Sequence, residues 1–134
     1  MISYKQHTKL SEEYIIKKVD EFLLEDIPEG DKTSVGTVPQ NTEICAEIQA
    51  VENLIFSGGP VIKAVFKNIA KTEILILDGK EVNSGQIIGK IIGNAIEILS
   101  RERVMLNLIQ RMSGIATKVK SFTKIADSFN VLIL

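Results

Sequence analysis

Four polar side chains with chemistry to offer share one face of one stretch. At about 100° per residue in a helix, Arg103, Asn107, Gln110 and Arg111 project from the same side of Ala95–Met112, and Gly114 lies in line with them. The chemistry that suits them is recognition of an anion. A guanidinium is planar and permanently charged, and its fork donates two parallel hydrogen bonds to a carboxylate. Asn107 and Gln110 follow one and two turns on, where they could steady the guanidinium or a bound carboxylate. The same spacing also describes an ordinary solvated helix face, and pattern alone does not choose between the two.

Other candidates are poorer. Glu25, Asp26 and Asp31 fall in a polar loop, Glu25 to Gln40, with no His or further ligand spaced to complete a metal or acid–base site. Asp31 beside Thr33 and Ser34 suits an Asx-type turn instead. Gly58-Gly59 before Pro60 could cradle a phosphate at a helix start, but the spaced glycines and Lys-Ser/Thr of a P-loop are absent, so close backbone packing is the expected role. His7 is alone and no CxxC accompanies it, so no metal site is expected. Cys45 lies in an alternating run without a His neighbour and reads as a strand filler, not a nucleophile.

The elements that must position these residues follow from periodicity. Asn94 caps the Arg103 helix, with Glu97 three residues on. Ile98, Met105, Ile109 and Met112 form its apolar stripe, flanked by Leu99 and Leu106. Glu102 points toward that stripe and must find a partner or stay at the rim. Ser113-Gly114 reads as a helix stop. Upstream, Ser11 caps a first helix with Ile15, Ile16, Val19, Phe22 and Leu23 at helical spacing, and Leu10 and Ile15 stand where a hydrophobic staple would close. Glu43 to Val51 alternates as a half-buried strand, and Leu54 to Ser57 is a short one. Ile62, Val65, Phe66 and Ile69 stripe the next helix. Thr72 to Leu77 is a strand followed by an Asp78-Gly79 hairpin-type turn, then a short extended Lys80 to Val82. Gln86 to Ile92 is a strand with a bulge at Gly89. After Gly114 a second helix shows Ile115, Val119, Phe122, Ala126 and Phe129 on one side, with Lys118, Lys120 and Lys124 mostly off it. Asn130 ends it, and Val131 to Leu134 is wholly apolar, as in a parallel strand buried on both faces.

Composition narrows the class. The 134 residues are 45% hydrophobic and 25% charged, a globular balance in a length that can form one core. A formal net charge of −1 gives no basic field to attract nucleic acid. No apolar run approaches the ~18 residues of a membrane span, and the N-terminus lacks the apolar core of a signal peptide. One cysteine excludes an intrachain disulfide and fits a reducing compartment. A cytoplasmic location is expected.

The run from Arg101 to Thr117, RERVMLNLIQRMSGIAT, resembles the signature helix of the quinolinate phosphoribosyltransferases, the carboxylating nicotinate-nucleotide pyrophosphorylases, with its ER, LN and SGIAT blocks. Glu25 to Ser34 resembles the family's ED…GD-x-TT segment, although Lys32 and Ser34 depart from it. Glu52, Ser57-Gly58-Gly59 and Val65-Phe66 resemble its E…G…F segment, and Asp78-Gly79…Gly85 its DG…G turn. The likeness covers the chain from about Leu23 to Leu134.

The resemblance implies an α+β fold, a hammerhead-like antiparallel sheet with flanking helices, over residues 1–113. Residues 114–134 would be the first helix and strand of a truncated α/β barrel. It implies the family reaction, in which quinolinate and phosphoribosyl pyrophosphate give nicotinate mononucleotide, pyrophosphate and CO2 for NAD biosynthesis. It implies magnesium, with ligands beyond Leu134. The matching arginine of the ER pair, Arg103, would contact the quinolinate of a neighbouring subunit, so a homodimer or higher homo-oligomer is implied. The family's other site residues also lie beyond Leu134, so the 134-residue chain is expected to be inactive alone. Two alternatives are a molybdenum-transport-associated paralogue of the same fold and a non-catalytic interaction module.

Overall fold

The structure, a computed structural model of the chain, describes residues 9–27 and 36–129. The expected turn at Asp31, the end of the last helix at Asn130 and the strand Val131 to Leu134 lie outside the described residues, as does His7.

Helix α1 spans Glu12–Asp26. Ser11 caps it, its Oγ accepting from the Tyr14 amide at 3.2 Å. Val19 is buried and Ile15 and Leu23 pack on the core, but Leu10 is 58% exposed, so the staple does not bury it. Glu25 and Asp26 belong to the last turn of α1, not to a loop.

Strand β1 is Glu43–Gln49, β2 is Leu54–Ile55, α2 is Gly59–Val65, β3 is Lys71–Ile74, β4 is Glu81–Val82 and β5 is Ile87–Asn94. The sheet β1-β5-β3 is antiparallel throughout, and β2 pairs antiparallel with β4. On β1 the alternation holds: Ile44, Ala46 and Ile48 turn inward, while Cys45, Glu47 and Gln49 are exposed. The outer face carries a charged row in which Lys90 stands opposite Glu47 on one side and Glu73 on the other. Lys90 Nζ meets Glu47 at 2.9 Å. The bulge falls at Ile88, an extra residue between the Ile48–Gly89 and Gln49–Ile87 pairs. Gly89 beside it is fixed by close approach, since a Cβ there would lie 2.8 Å from the Glu73 carbonyl oxygen.

Two further expectations are corrected. Asp78-Gly79 forms a turn but not a hairpin, because β3 pairs with β5 and β4 with β2. Ser113-Gly114 does not stop a helix: α3 runs unbroken over Ala95–Asp127, 33 residues. The core gathers Phe56, Phe66, Ile62, Ile91, Val19 and Val82, with α1 and α2 packed on each other and both on α3.

Candidate functional site

Helix α3 starts where the sequence places it. Asn94 Oδ1 accepts from the Ile96 and Glu97 amides at 3.0 and 3.3 Å, satisfying donors that the first turn leaves free. Its apolar stripe faces inward, with Ile98, Met105 and Ile109 buried, and the buried sector also takes in Val104. Leu99 is left largely outside. Glu102 is exposed, which settles its position at the rim. Arg101 lies on the inner flank, paired with Glu97 at 3.1 Å.

On the opposite side Arg103, Asn107, Gln110 and Arg111 are all exposed, as is Gly114. The helix brings Arg103, Asn107 and Gln110 to one face, all exposed. Among the described residues, Arg103 makes no ion pair or hydrogen bond, and neither Asn107 nor Gln110 bonds to it. A guanidinium held on a rigid element with its donors open can take an oxyanion from outside the domain. Farther along, Gln110 and Gly114 border a groove of about 550 Å³ whose rim includes Glu52, Asn53 and Lys118. A larger depression, about 800 Å³, lies over the charged side of α1 beside Lys67, away from this face.

The segment before α2 is not a phosphate cradle. The Gly58 and Gly59 amides donate to the Asp78 carboxylate at 2.9 and 2.8 Å, so a side-chain anion already occupies the helix start. Gly58 has φ +135°, and a Cβ there would sit 2.7 Å from Ile109 Cγ2. Close packing between this loop and α3 is what the glycine permits.

Two residues that the helical face did not single out prove central to how α3 is held. Ser113 is 4% exposed. Its Oγ accepts from the Ser57 amide at 3.0 Å and donates to the Ser57 carbonyl at 3.2 Å. Thr117 Oγ1 accepts from the Ile55 amide at 2.9 Å and donates to the Ser113 carbonyl at 2.7 Å. The available signal was a small hydroxyl one turn beyond Ile109, on the flank of the apolar stripe.

No three His, Cys, Asp or Glu side chains cluster to hold a metal among the described residues.

The described residues form a small antiparallel α+β unit that carries one long helix, with Arg103 on the side facing away from its core. Residues 31–113 match the family model "Quinolinate phosphoribosyl transferase, N-terminal domain", and the chain belongs to that family. It is 39% identical over 121 residues to the probable carboxylating nicotinate-nucleotide pyrophosphorylase of Bacillus subtilis (strain 168), covering 87% of this chain and 41% of that protein. It is 38% identical over 106 residues to the decarboxylating quinolinate phosphoribosyltransferase 2b, mitochondrial, of Nicotiana tabacum, covering 77% and 30%. The solved nicotinate-nucleotide pyrophosphorylase of Francisella tularensis superposes with a TM-score of 0.86 at 27% identity, over 94% of this chain and 45% of that one. The chain thus spans less than half the length of these relatives.

Proposed function

We propose that the chain is the N-terminal, substrate-site-contributing domain of an enzyme that joins quinolinate to phosphoribosyl pyrophosphate, giving nicotinate mononucleotide, pyrophosphate and CO2 in NAD biosynthesis. The observation that carries this reading is Arg103, mid-helix, exposed and without a partner among the described residues, within the ER…LN…SGIAT run. Quinolinate is a flat dicarboxylate, and a guanidinium fork binds one carboxylate through two parallel hydrogen bonds. Asn107 and Gln110 share the face and are its lesser contributors. The pyridine nitrogen displaces pyrophosphate at the sugar carbon, and this chain's part is to bind and orient the acceptor.

The surrounding assignments belong to the same proposal. Residues 1–113 form the presenting domain, and 114–134 begin an α/β barrel that carries the phosphoribosyl chemistry. Magnesium is a requirement of the whole enzyme, met by residues other than those described. Arg103 reaches the quinolinate of a neighbouring subunit, so the working form is a homodimer or higher homo-oligomer, and the cytoplasm is its compartment. No helix among the described residues is long and apolar enough to cross a membrane.

The test is steady-state kinetics and melting of Arg103→Ala and Arg103→Lys in a complete enzyme that contains this domain. Arg103→Ala should change stability by no more than about 0.5 kcal/mol, as surface substitutions do. It should weaken quinolinate use by roughly 1.5–3 kcal/mol, the worth of a charged hydrogen-bonded contact, or about ten- to a hundredfold in kcat/KM. Lysine should recover only part of this, because it cannot reproduce the fork. Unchanged kcat/KM in the alanine variant would make the face merely solvated, and a collapsed Tm would make Arg103 structural.

A further inference from the structure

Among the described residues, strand β2 pairs with another strand along one edge only. Its partner β4 is reached through Phe56, whose amide donates to the Lys80 carbonyl at 3.0 Å and whose carbonyl accepts from Gly79 at 2.8 Å. The amides of Ile55 and Ser57 point the other way, because successive residues of a strand alternate. They need acceptors, since unpaired backbone donors are destabilising wherever water is excluded. A third strand would normally supply them. Here α3 supplies them from side chains, through Thr117 Oγ1 to Ile55 and Ser113 Oγ to Ser57.

The match is metric. Four residues of α-helix rise about 6 Å, and two residues of strand rise roughly 6.6 Å. Hydroxyls at i and i+4 therefore meet alternate amides of a strand laid along the helix. The two contacts straddle Gly114, whose Cβ position has nothing within 4 Å and which is the weakest link of a 33-residue helix. Fastened on both sides of that glycine, α3 continues as a single rod. On the same loop Gly58 lets Ile109 close to contact, so rotation and axial slide of the rod are both fixed.

We propose that Ser113 and Thr117 are positioning residues: a hydroxyl splint that pins α3 to the edge of β2 away from β4 across Gly114 and so sets where Arg103 stands. The splint itself rests on the hydrogen bonds above. Its bearing on substrate rests on the reading of Arg103 given under the proposed function.

The experiment has two arms. In this chain, amide hydrogen exchange is read by NMR for Thr117→Val, Thr117→Ser and Ser113→Ala, with Ile91 in the central strand as the reference. Thr117→Val, isosteric without the hydroxyl, should speed exchange at Ile55 at least tenfold relative to Ile91. Thr117→Ser, which keeps the hydroxyl, should not. Ser113→Ala should do the same at Ser57. In a complete enzyme containing the domain, Thr117→Val should raise the KM for quinolinate several-fold, leave that for phosphoribosyl pyrophosphate unchanged, and be rescued by Thr117→Ser. Unchanged exchange at Ile55 overturns the splint, and so does equal loss in the valine and serine variants. Equal KM increases for both substrates overturn the positioning role. If Arg103→Ala leaves quinolinate use intact while Thr117→Val exposes Ile55, the reading of Arg103 is what failed, and the positioning role falls with it while the splint stands.

Discussion

The two halves of α3 carry the same kind of apolar repeat and end in different surroundings. Before Gly114, Ile98, Met105 and Ile109 are buried against the domain; after it, Ile115, Val119 and Phe122 are exposed, Phe122 by 58%. Helical period identifies which face is apolar, but what covers that face is decided by how far the neighbouring elements reach. β2, β5, α1 and α2 all pack on α3. Among the described residues, the last hydrogen bond they send to it is the one at Thr117. Beyond that point the stripe is exposed among the described residues.

The largest expected effect tests this division directly. Ile109→Ala removes buried methyl and methylene groups against Gly58 and the core and should lower unfolding free energy by roughly 2–5 kcal/mol. Phe122→Ala, deleting a larger side chain from the same helix, should change it by no more than about 0.5 kcal/mol. Denaturant titration of this chain reads both, and equal losses would abolish the distinction between the halves.

A smaller effect sharpens it at the joint. Gly114 is helical, exposed and free of neighbours, so Gly114→Ala should stabilise the chain by about 0.4–1 kcal/mol through reduced unfolded-state entropy. A loss of stability by the same titration would mean that the backbone at residue 114 is under a constraint that the rod description lacks.

Much of this was legible. The caps at Ser11 and Asn94, the alternation of β1, the bulge by Gly89 and the outward face of Arg103 all come from local rules that tertiary packing left intact. Two of the misreadings share one cause: a residue whose local preference is taken over by a distant partner. Ser113-Gly114 is a helix stop in isolation, yet the Ser113 hydroxyl is claimed by Ser57. Asp78-Gly79 has hairpin chemistry, yet the Asp78 carboxylate is claimed by Gly58 and Gly59, and the flanking strands go to different sheets. Glu102, which by its angle had to find a partner or stay at the rim, stays at the rim and exposed. No single-residue signal reports the edge of β2 away from β4, so the acceptors that satisfy it were invisible until strand and helix were seen together.

The smallest effect concerns the helices that cover the proximal half. Lys67, just past α2, meets Glu12 of α1 at 2.9 Å. That hydrogen bond and the lysine's charge hold the Glu12 carboxyl below the usual carboxylate range, as Lys18 does for Glu21. A carboxyl with a depressed folded pKa adds stability that is present above its unfolded pKa and lost as pH falls through the folded one. Melting temperature should therefore dip slightly as pH is lowered through and below the ordinary carboxylate range. Glu12→Gln should remove part of that slope, and both pairs are solvated, so the change is small. A Glu12→Gln melting curve with the same pH slope as the parent would show that the α1–α2 tie contributes nothing.

The order of strands in the sheet also bears on how the chain gets there. β5 lies in the middle, with β3 on one side and β1 on the other. Ile74 meets Gly89 across a short excursion of chain, whereas Glu43 must find Asn94 from the far side of β2, α2, β3 and β4. Closing a loop becomes dearer in entropy with the logarithm of its length, and distant pairings slow folding. The least costly assembly path therefore builds β3 on β5 first. That path leaves the β1 side of the central strand open until last, a ready-made slot for whatever extended segment arrives before β1 does.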